Sequence, residues 1–226
     1  MLGAVIFDFD GVVADDERLH LAGFRHALAA LGLEVSDADY FDRYLGFADR
    51  DGFNAMLRDS GREGDEALLA RLMADKERAF RELVRERVTI FPGVRELLLD
   101  LRTGPDAVVT GIGSGALRSE IQLVLDIAGL APSFDLIVAA DDVARSKPDP
   151  ETFVRACSGL ARLRPGLEAQ QCLVIEDSMA GLAAATRAGM KTVAVTNSYV
   201  ASDLEADLVV ASLEQIDRAR CASLFD

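Results

Sequence analysis

The stretch VIFDFDG, residues Val5 to Gly11, organises the interpretation of the whole chain. Four apolar residues, 4–7, lead into Asp8 and Asp10. Within a strand, this spacing turns both carboxylates toward the same side, about 7 Å apart along the backbone. Two carboxylates at the end of a buried strand repel each other unless a cation or a shared proton relieves them. The stretch therefore predicts an acidic site that needs a partner.

Residues 15–87 carry the pattern of an all-helical module. Leu21, Phe24 and Leu28 recur at helical spacing in its first part. Residues suited to capping then precede three further helical runs: Ser36, Asp49 and Asp65. Because no β-branched run interrupts this segment, we predict a helical cap inserted between the first strand and the second.

Strands alternate with helices in the remaining part of the chain. Five more strands rich in Val and Ile are expected, at residues 106–110, 135–140, 172–177, 191–196 and 207–212. This alternation predicts an α/β fold, a Rossmann-like parallel sheet with helices on both faces. The core comprises residues 1–14 and 88–226, and the cap comprises residues 15–87.

Polar residues collect where the predicted strands end. Ligands of open parallel sheets bind outside the carboxyl ends of the strands, so residues at those ends are site candidates. The candidates are Asp8, Asp10, Thr110, Lys147, Glu176 and Asp177.

Composition excludes several classes of partner. A formal net charge of -14 argues against nucleic acid and anionic membranes, which are held by clustered Lys and Arg. No apolar stretch is long enough to span a bilayer. The three cysteines lack CxxC spacing, which indicates reduced, buried thiols. We expect a cytoplasmic protein; its oligomeric state is left open, and a monomer is compatible with the sequence.

Four motifs in order carry a resemblance to a known family. They are DFDGVVADDE at 8–17, Thr110-Gly111, SKPDPE at 146–151 and EDSMAGLAAATRAGM at 176–190. Together with the helical insertion, they resemble the haloacid dehalogenase superfamily in its helical-cap branch, which includes phosphoglycolate phosphatases and β-phosphoglucomutases. The resemblance spans nearly the whole chain and implies phosphoryl transfer.

The resemblance implies a Mg²⁺-dependent phosphatase that forms an aspartyl-phosphate. Asp8 would be the nucleophile. Asp10 would protonate the leaving alkoxide and later take a proton from water. Lys147 would neutralise charge on Asp8 and on the phosphoryl group, whose oxygens Thr110 and the amide of Gly111 would hold.

The resemblance also implies the Mg²⁺ ligands. They would be the carboxylates of Asp8 and Asp177 and the backbone carbonyl of Asp10, with Glu176 acting through water. Glu176 and Asp177 suit a second role as well, because either could cap the helix that follows them.

Single residues indicate which other activities of the same superfamily are excluded and which remain alternatives. Dehalogenases of this fold lack the second aspartate, which is present here as Asp10. Phosphonoacetaldehyde hydrolases need a Schiff-base lysine near the start of the cap helices, whereas the only cap lysine, Lys76, lies deep in a long charged helix. A β-phosphoglucomutase-like hexose-phosphate mutase stays open because His20 matches that group. An inactive binding or regulatory member is the remaining alternative.

The cap segment 46–53 is expected to choose the substrate. Arg50 is its only cation, between Asp49 and Asp51, where the mutases carry a basic patch for a second phosphate. We therefore predict a small, singly phosphorylated metabolite as substrate, with Arg50 and His20 contributing to its binding.

Overall fold

The structure is a computed structural model that describes all 226 residues, Met1 to Asp226. The chain divides into two compact units. The α/β unit comprises Met1–Asp15 and Thr89–Asp226, and the helical unit comprises Asp16–Val88. The boundaries expected from the sequence were 14/15 and 87/88, one residue earlier at each junction.

All eight strands belong to the α/β unit. They are β1 (Ala4–Phe7), β2 (Ala14–Asp15), β3 (Thr89–Ile90), β4 (Val109–Gly113), β5 (Leu136–Val138), β6 (Cys172–Glu176), β7 (Lys191–Val195) and β8 (Leu208–Val210).

Four of the nine α-helices form the helical unit and five belong to the α/β unit. The first four are α1 (Glu17–Ala29), α2 (Asp37–Asp39), α3 (Asp49–Asp59) and α4 (Glu66–Arg87). The other five are α5 (Val94–Arg102), α6 (Arg118–Ala128), α7 (Glu151–Leu160), α8 (Met179–Arg187) and α9 (Arg218–Ala222). No helix has both the length and the apolar character that crossing a membrane requires.

Six strands form one parallel sheet in the order β5-β4-β1-β6-β7-β8. The predicted α/β class and parallel sheet are therefore confirmed. Numbered by appearance, these six strands run 3-2-1-4-5-6, so the order reverses between β1 and β6. In open parallel sheets, the crevice at this reversal is where ligands bind.

Both faces of the central strand β1 are buried, which explains its uninterrupted apolar sequence. Ala4 and Ile6 belong to a core cluster that also contains Phe153 of α7 and Ala184 of α8. The alternate residues of β1 point to the opposite face by the period of two, and they too have no exposed surface. A strand covered on both faces does not alternate between apolar and polar residues.

The second strand of the sheet, β4, was predicted to end at Thr110, and this prediction is wrong. β4 continues through Gly111 to Gly113, because these residues pair with Leu136–Val138 of β5. Glycine at positions 111 and 113 also lets α7 pack closely against the strand. A Cβ on Gly113 would lie 3.2 Å from the ring of Phe153, and one on Gly111 would lie 3.3 Å from Leu160. The glycines that suggested a turn are strand residues, and their lack of a side chain leaves room for the neighbouring helix.

A two-stranded antiparallel ribbon, absent from the sequence prediction, flanks the helical segment. Ala14 of β2 pairs with Ile90 of β3, and Asp15 pairs with Thr89. The amide of Phe91 extends the ribbon by donating to the carbonyl oxygen of Val13 at 3.1 Å.

The helical unit has an apolar core of its own. Most of its residues come from α1, α3 and α4, among them Leu21, Phe24, Phe53, Leu57 and Leu72.

Two of the three predicted helix caps in this unit are confirmed. Ser36 accepts a hydrogen bond from the amide of Asp39, and Asp65 accepts one from the amide of Leu68. Asp49 is instead the first residue of α3 and caps nothing. The run after Ser36 begins with α2 and continues as a π-helix, Tyr40–Tyr44.

Gly93 offers a test of the local structure that starts α5. Its φ is +86°, and a Cβ there would lie 2.3 Å from the backbone nitrogen of Glu214. Replacing Gly93 with Ala should therefore destabilise the protein by more than about 2 kcal/mol, since backbone strain and a backbone clash combine. Urea denaturation measures the change.

Gly129 is the matched control for Gly93. Its φ is +66°, but a Cβ there meets no atom within 4 Å. The Gly129→Ala variant should lose only the backbone term, about 1–2 kcal/mol. Equal losses in the two variants would contradict the role of the contact with Glu214.

Candidate active site

Two acidic residues meet where the strand order reverses. Asp8 directly follows β1, and Glu176 is the last residue of the neighbouring β6. The register pairs Phe7 with Ile175, and the amide of Asp8 donates to the carbonyl oxygen of Ile175 at 2.9 Å. The backbone pairing of two buried strands therefore fixes the separation of these carboxylates.

Lys147 joins the two carboxylates. It lies in the loop between β5 and α7, and its Nζ is 2.8 Å from Oδ1 of Asp8 and 2.7 Å from Oε1 of Glu176. Only 11% of its side chain is exposed, and the ammonium lies 4.9 Å from the ring centroid of Phe153. Lys147 is thus a buried, doubly paired cation and not a solvated loop residue.

Both carboxylate oxygens of Glu176 accept hydrogen bonds. Oε1 accepts from Lys147, while Oε2 accepts from the amides of Asp177 and Ser178 and from the Ser178 hydroxyl, at 2.8–2.9 Å. A Cβ on Gly181 would lie 1.6 Å from Oε1, so α8 can approach this carboxylate only with a glycine there. Glu176 is therefore fixed in one orientation and holds Lys147.

Ser178, and not either acidic residue, caps α8. Its hydroxyl oxygen accepts a hydrogen bond from the amide of Gly181 at 3.1 Å. The alternative role proposed for Glu176 and Asp177, that of a helix cap, is therefore wrong. Both carboxylates are buried, and neither caps the helix.

Asp177 lies against the turn that follows β1. A Cβ on Gly11 would lie 2.0 Å from its Oδ2, and the φ of Gly11 is +78°. Only glycine satisfies both the left-handed backbone and this close approach. Asp10 lies in the same turn, is half-buried, and forms a backbone bridge with Ala14.

The site carries more negative than positive charge. Burial, reinforced by Glu176 and Asp177, raises the pKa of Asp8 well above its ordinary value, although Lys147 acts in the opposite direction. Burial also raises the pKa of Glu176, but the Lys147 ammonium and the hydrogen bonds from Ser178 outweigh it and hold that pKa below its ordinary value. Burial lowers the pKa of Lys147, and the attraction of Asp8 and Glu176 outweighs this and raises it.

The donor atoms suit a hard divalent cation. Oxygens of Asp8, Glu176 and Asp177 all lie within 4.8 Å of one another, and all three residues are buried. Three carboxylates face one ammonium, so a divalent cation would balance the remaining charge. Carboxylate oxygens are the ligands that Mg²⁺ prefers in proteins. The residues present therefore fit the metal that the sequence predicts.

The structure does not bring Thr110 and Gly111 to this site. Thr110 is the second residue of β4 and pairs with Val5, toward the amino end of the strands. Its hydroxyl donates to the carbonyl oxygen of Ser133 at 2.7 Å and accepts from Arg102 at 2.8 Å. The predicted position of these two residues at a strand end is wrong, because β4 extends beyond them.

Ser114 occupies the position that Thr110 was expected to hold. It directly follows β4, as Asp8 directly follows β1, and it is 1% exposed. Its hydroxyl oxygen accepts from the amide of Ala116 at 2.9 Å. Ser114 does not cap α6, which begins four residues later, directly after Leu117.

Comparison with known proteins identifies the family. The sequence profile of the haloacid dehalogenase-like hydrolases matches residues 5–195. The chain belongs to this family. It is 31% identical over 208 residues to protein CbbY of Rhodobacter capsulatus, covering 89% of this chain and 88% of the relative.

A named phosphatase and a mutase structure are further relatives of this haloacid dehalogenase-like hydrolase. A phosphorylated carbohydrates phosphatase of Thermotoga maritima is 29% identical over 191 residues, covering 84% of this chain and 83% of the relative. The crystal structure of β-phosphoglucomutase from Clostridium difficile matches with a TM-score of 0.86 at 26% identity, covering 100% of this chain and 97% of the other.

The helical unit of this haloacid dehalogenase-like hydrolase contains a buried ionic cluster that sequence reasoning missed. Lys76 has no exposed surface, and its Nζ lies 2.7 Å from Oδ1 of Asp49 and 2.8 Å from Nδ1 of His20. The rings of Phe24 and Phe80 lie within 5.4 Å of the same ammonium. Lys76, Asp49 and His20 thus form one buried polar cluster among aromatic rings.

Arg50 has an internal partner that the sequence did not indicate. Its guanidinium pairs with Glu66 at the start of α4, and 47% of the side chain is exposed. Its neighbour Asp49 pairs instead with Lys76. The substrate-binding roles of Arg50 and His20 stay predictions.

Proposed function

We propose that this enzyme is a Mg²⁺-dependent phosphatase that hydrolyses a small phosphate monoester through an aspartyl-phosphate on Asp8. Its class, phosphoric monoester hydrolase, follows from the family and from the phosphatase among its relatives. The observation that supports the aspartyl-phosphate and the Mg²⁺ site is the position of Asp8, which is buried, lies 2.8 Å from Lys147 and has Asp177 beside it.

In the first step, a carboxylate oxygen of Asp8 forms a bond to phosphorus as the ester bond to the leaving oxygen breaks. Asp10 gives its proton to that leaving oxygen, and the alcohol departs. In the second step, Asp10 takes a proton from water, whose oxygen attacks phosphorus. The bond to Asp8 breaks, phosphate leaves, and both aspartates return to their starting states.

Lys147 supplies fixed positive charge at the nucleophile. Because Glu176 holds its ammonium, Lys147 needs no reorganisation when charge develops on the phosphoryl oxygens. Asp8, Asp177 and the backbone carbonyl of Asp10 would hold Mg²⁺, with Glu176 acting through water. When bound, the metal would neutralise phosphoryl charge as a Lewis acid.

Ser114, and not Thr110 and Gly111, is the residue to which we assign binding of the phosphoryl group. Its hydroxyl lies directly beyond the carboxyl end of β4, next to the strand that carries Asp8. The loop 114–117 precedes the amino end of α6, where backbone amides favour anions. These donors would hold two phosphoryl oxygens while Asp8 attacks.

Phosphorylated sugars are the proposed substrate class, because a relative is named for phosphorylated carbohydrates. The mutase alternative is kept because another relative is a β-phosphoglucomutase. A mutase must bind a second phosphate, but Arg50, the only cation of cap segment 46–53, is paired with Glu66. Lys76, the only lysine of the helical unit, is paired with Asp49. This pairing favours the phosphatase. We further propose a cytoplasmic enzyme.

A substrate panel tests the reaction class. Sugar phosphates, phosphoglycolate and nucleotides would be incubated with enzyme and Mg²⁺, with and without a hexose bisphosphate activator. We expect release of inorganic phosphate without the activator. Isomerised hexose phosphate that depends on the activator would establish the mutase instead.

Replacing Asp8 with Asn should lower phosphate release by at least about 1,000-fold, because the variant lacks the nucleophile. The fold should survive, since the amide is nearly isosteric. Turnover on the best panel substrate measures the effect, and mass spectrometry after acid quenching should find phosphorylated Asp8 in the wild type only. An Asp8→Asn variant with near wild-type turnover would contradict the covalent mechanism.

Replacing Ser114 with Ala should lower kcat/KM by about 10-fold or more, because a donor to the phosphoryl group is lost. Thr110→Val is the matched control. It should leave kcat/KM within about twofold but cost about 1–3 kcal/mol of stability, since Arg102 and the carbonyl of Ser133 lose their partner. Steady-state kinetics and urea denaturation separate the two effects, and a reversed pattern would restore Thr110 as the phosphate ligand.

Replacing Arg50 with Ala should raise KM more than it lowers kcat, as expected when uniform binding is lost. The matched control is Arg43→Ala, which removes a similarly exposed arginine paired with Asp59 in the same unit. Kinetics on the best substrate measure both variants. Unchanged constants in Arg50→Ala would limit this residue to its ion pair with Glu66.

A further inference from the structure

The loop that follows β7 contacts two parts of the site that no sequence motif links to it. The amide group of Asn197 donates to the carbonyl oxygen of Gly11 at 2.7 Å. The hydroxyl of Ser198 donates to Oδ2 of Asp177 in a short hydrogen bond. One loop residue thus holds the turn after β1, and the next holds the acidic residue after β6.

This loop is itself anchored to the sheet. The amide of Thr196, directly after β7, donates to the carbonyl oxygen of Val210 in β8 at 3.1 Å. Ser198 is half-buried, so its hydroxyl is only partly open to competing water. A donor on an anchored loop restricts the rotation of the carboxylate it contacts.

The turn after β1 also restricts rotation of the Asp177 carboxylate. Oδ2 is the atom that a Cβ on Gly11 would approach at 2.0 Å, so this oxygen lies closely against the turn. Ser198 donates to the same oxygen. Together the turn and the loop set which direction the carboxylate presents to Asp8 and Glu176, its neighbours in the acidic cluster.

We propose that Ser198 is a positioning residue that orients Asp177 for the divalent cation. This inference rests on the proposed Mg²⁺ site. Groups that hydrogen-bond to a metal ligand fix its orientation, and their removal commonly weakens metal binding by about 10–100-fold. Ser198 acts through its hydrogen bond to Asp177.

The test is calorimetric titration of the full-length enzyme with Mg²⁺ alone, without substrate. Ser198→Ala should raise the Mg²⁺ dissociation constant by about 10-fold or more. Ser198→Thr keeps the hydroxyl and should bind within about threefold of wild type. Ser202→Ala is the matched control, because that exposed serine also donates to an aspartate, Asp203, in the same stretch; its affinity for Mg²⁺ should not change.

Two further measurements separate positioning from a general structural role. The urea midpoint of Ser198→Ala should stay close to that of wild type. At saturating Mg²⁺ its kcat should recover most of the wild-type value, because the ligands themselves are intact. Loss of both stability and kcat at saturating metal would assign Ser198 a structural role and overturn the proposal.

Asp177→Ala distinguishes failure of this inference from failure of the proposed function. If Asp177→Ala loses Mg²⁺ binding and Ser198→Ala retains it, the positioning role is wrong and the metal site stands. If the wild type itself binds no Mg²⁺, both the metal site and the inference fall.

Discussion

The buried ammonium of Lys147 between Asp8 and Glu176 is the interaction on which the site depends. Three carboxylates lie on or beside two adjacent strands, and Lys147 is the cation that pairs with two of them at close range. A buried pair of this kind is costly to break, because the partner left behind is an uncompensated charge. The arrangement therefore fixes the surroundings of Asp8, the proposed nucleophile, before any substrate binds.

The α/β architecture was predictable because its signals are local. Buried parallel strands read as short Val- and Ile-rich runs, and the acidic residues at their ends, Asp8 and Glu176, stand in recognisable motifs. The end of β4 was not predictable in this way. Gly111 and Gly113 suggest a turn when only the sequence is read, but they pair with β5, and Phe153 and Leu160 pack on them. Phe153 and Leu160 lie some forty residues further along the chain. Because β4 is longer than predicted, the candidate phosphate ligand is Ser114 and not Thr110.

Lys76 was missed for a similar reason. It lies in a helix rich in charged residues, where a lysine is ordinarily solvated. Its burial depends on two partners from other helices, His20 and Asp49, and sequence spacing does not reveal that these residues meet. Local pattern thus predicts the strands of the sheet and the acidic residues at the ends of β1 and β6, while partners brought together by tertiary packing were found only in the structure.

The ribbon of β2 and β3 has a consequence for how proteins of this architecture diversify. Because Ala14 pairs with Ile90 and Asp15 with Thr89, the chain leaves and re-enters the α/β unit at neighbouring positions. Everything between those positions can change in length or composition without moving a strand of the main sheet. A different module can therefore replace the helical unit at this ribbon, while the acidic residues at the ends of β1 and β6 stay the same.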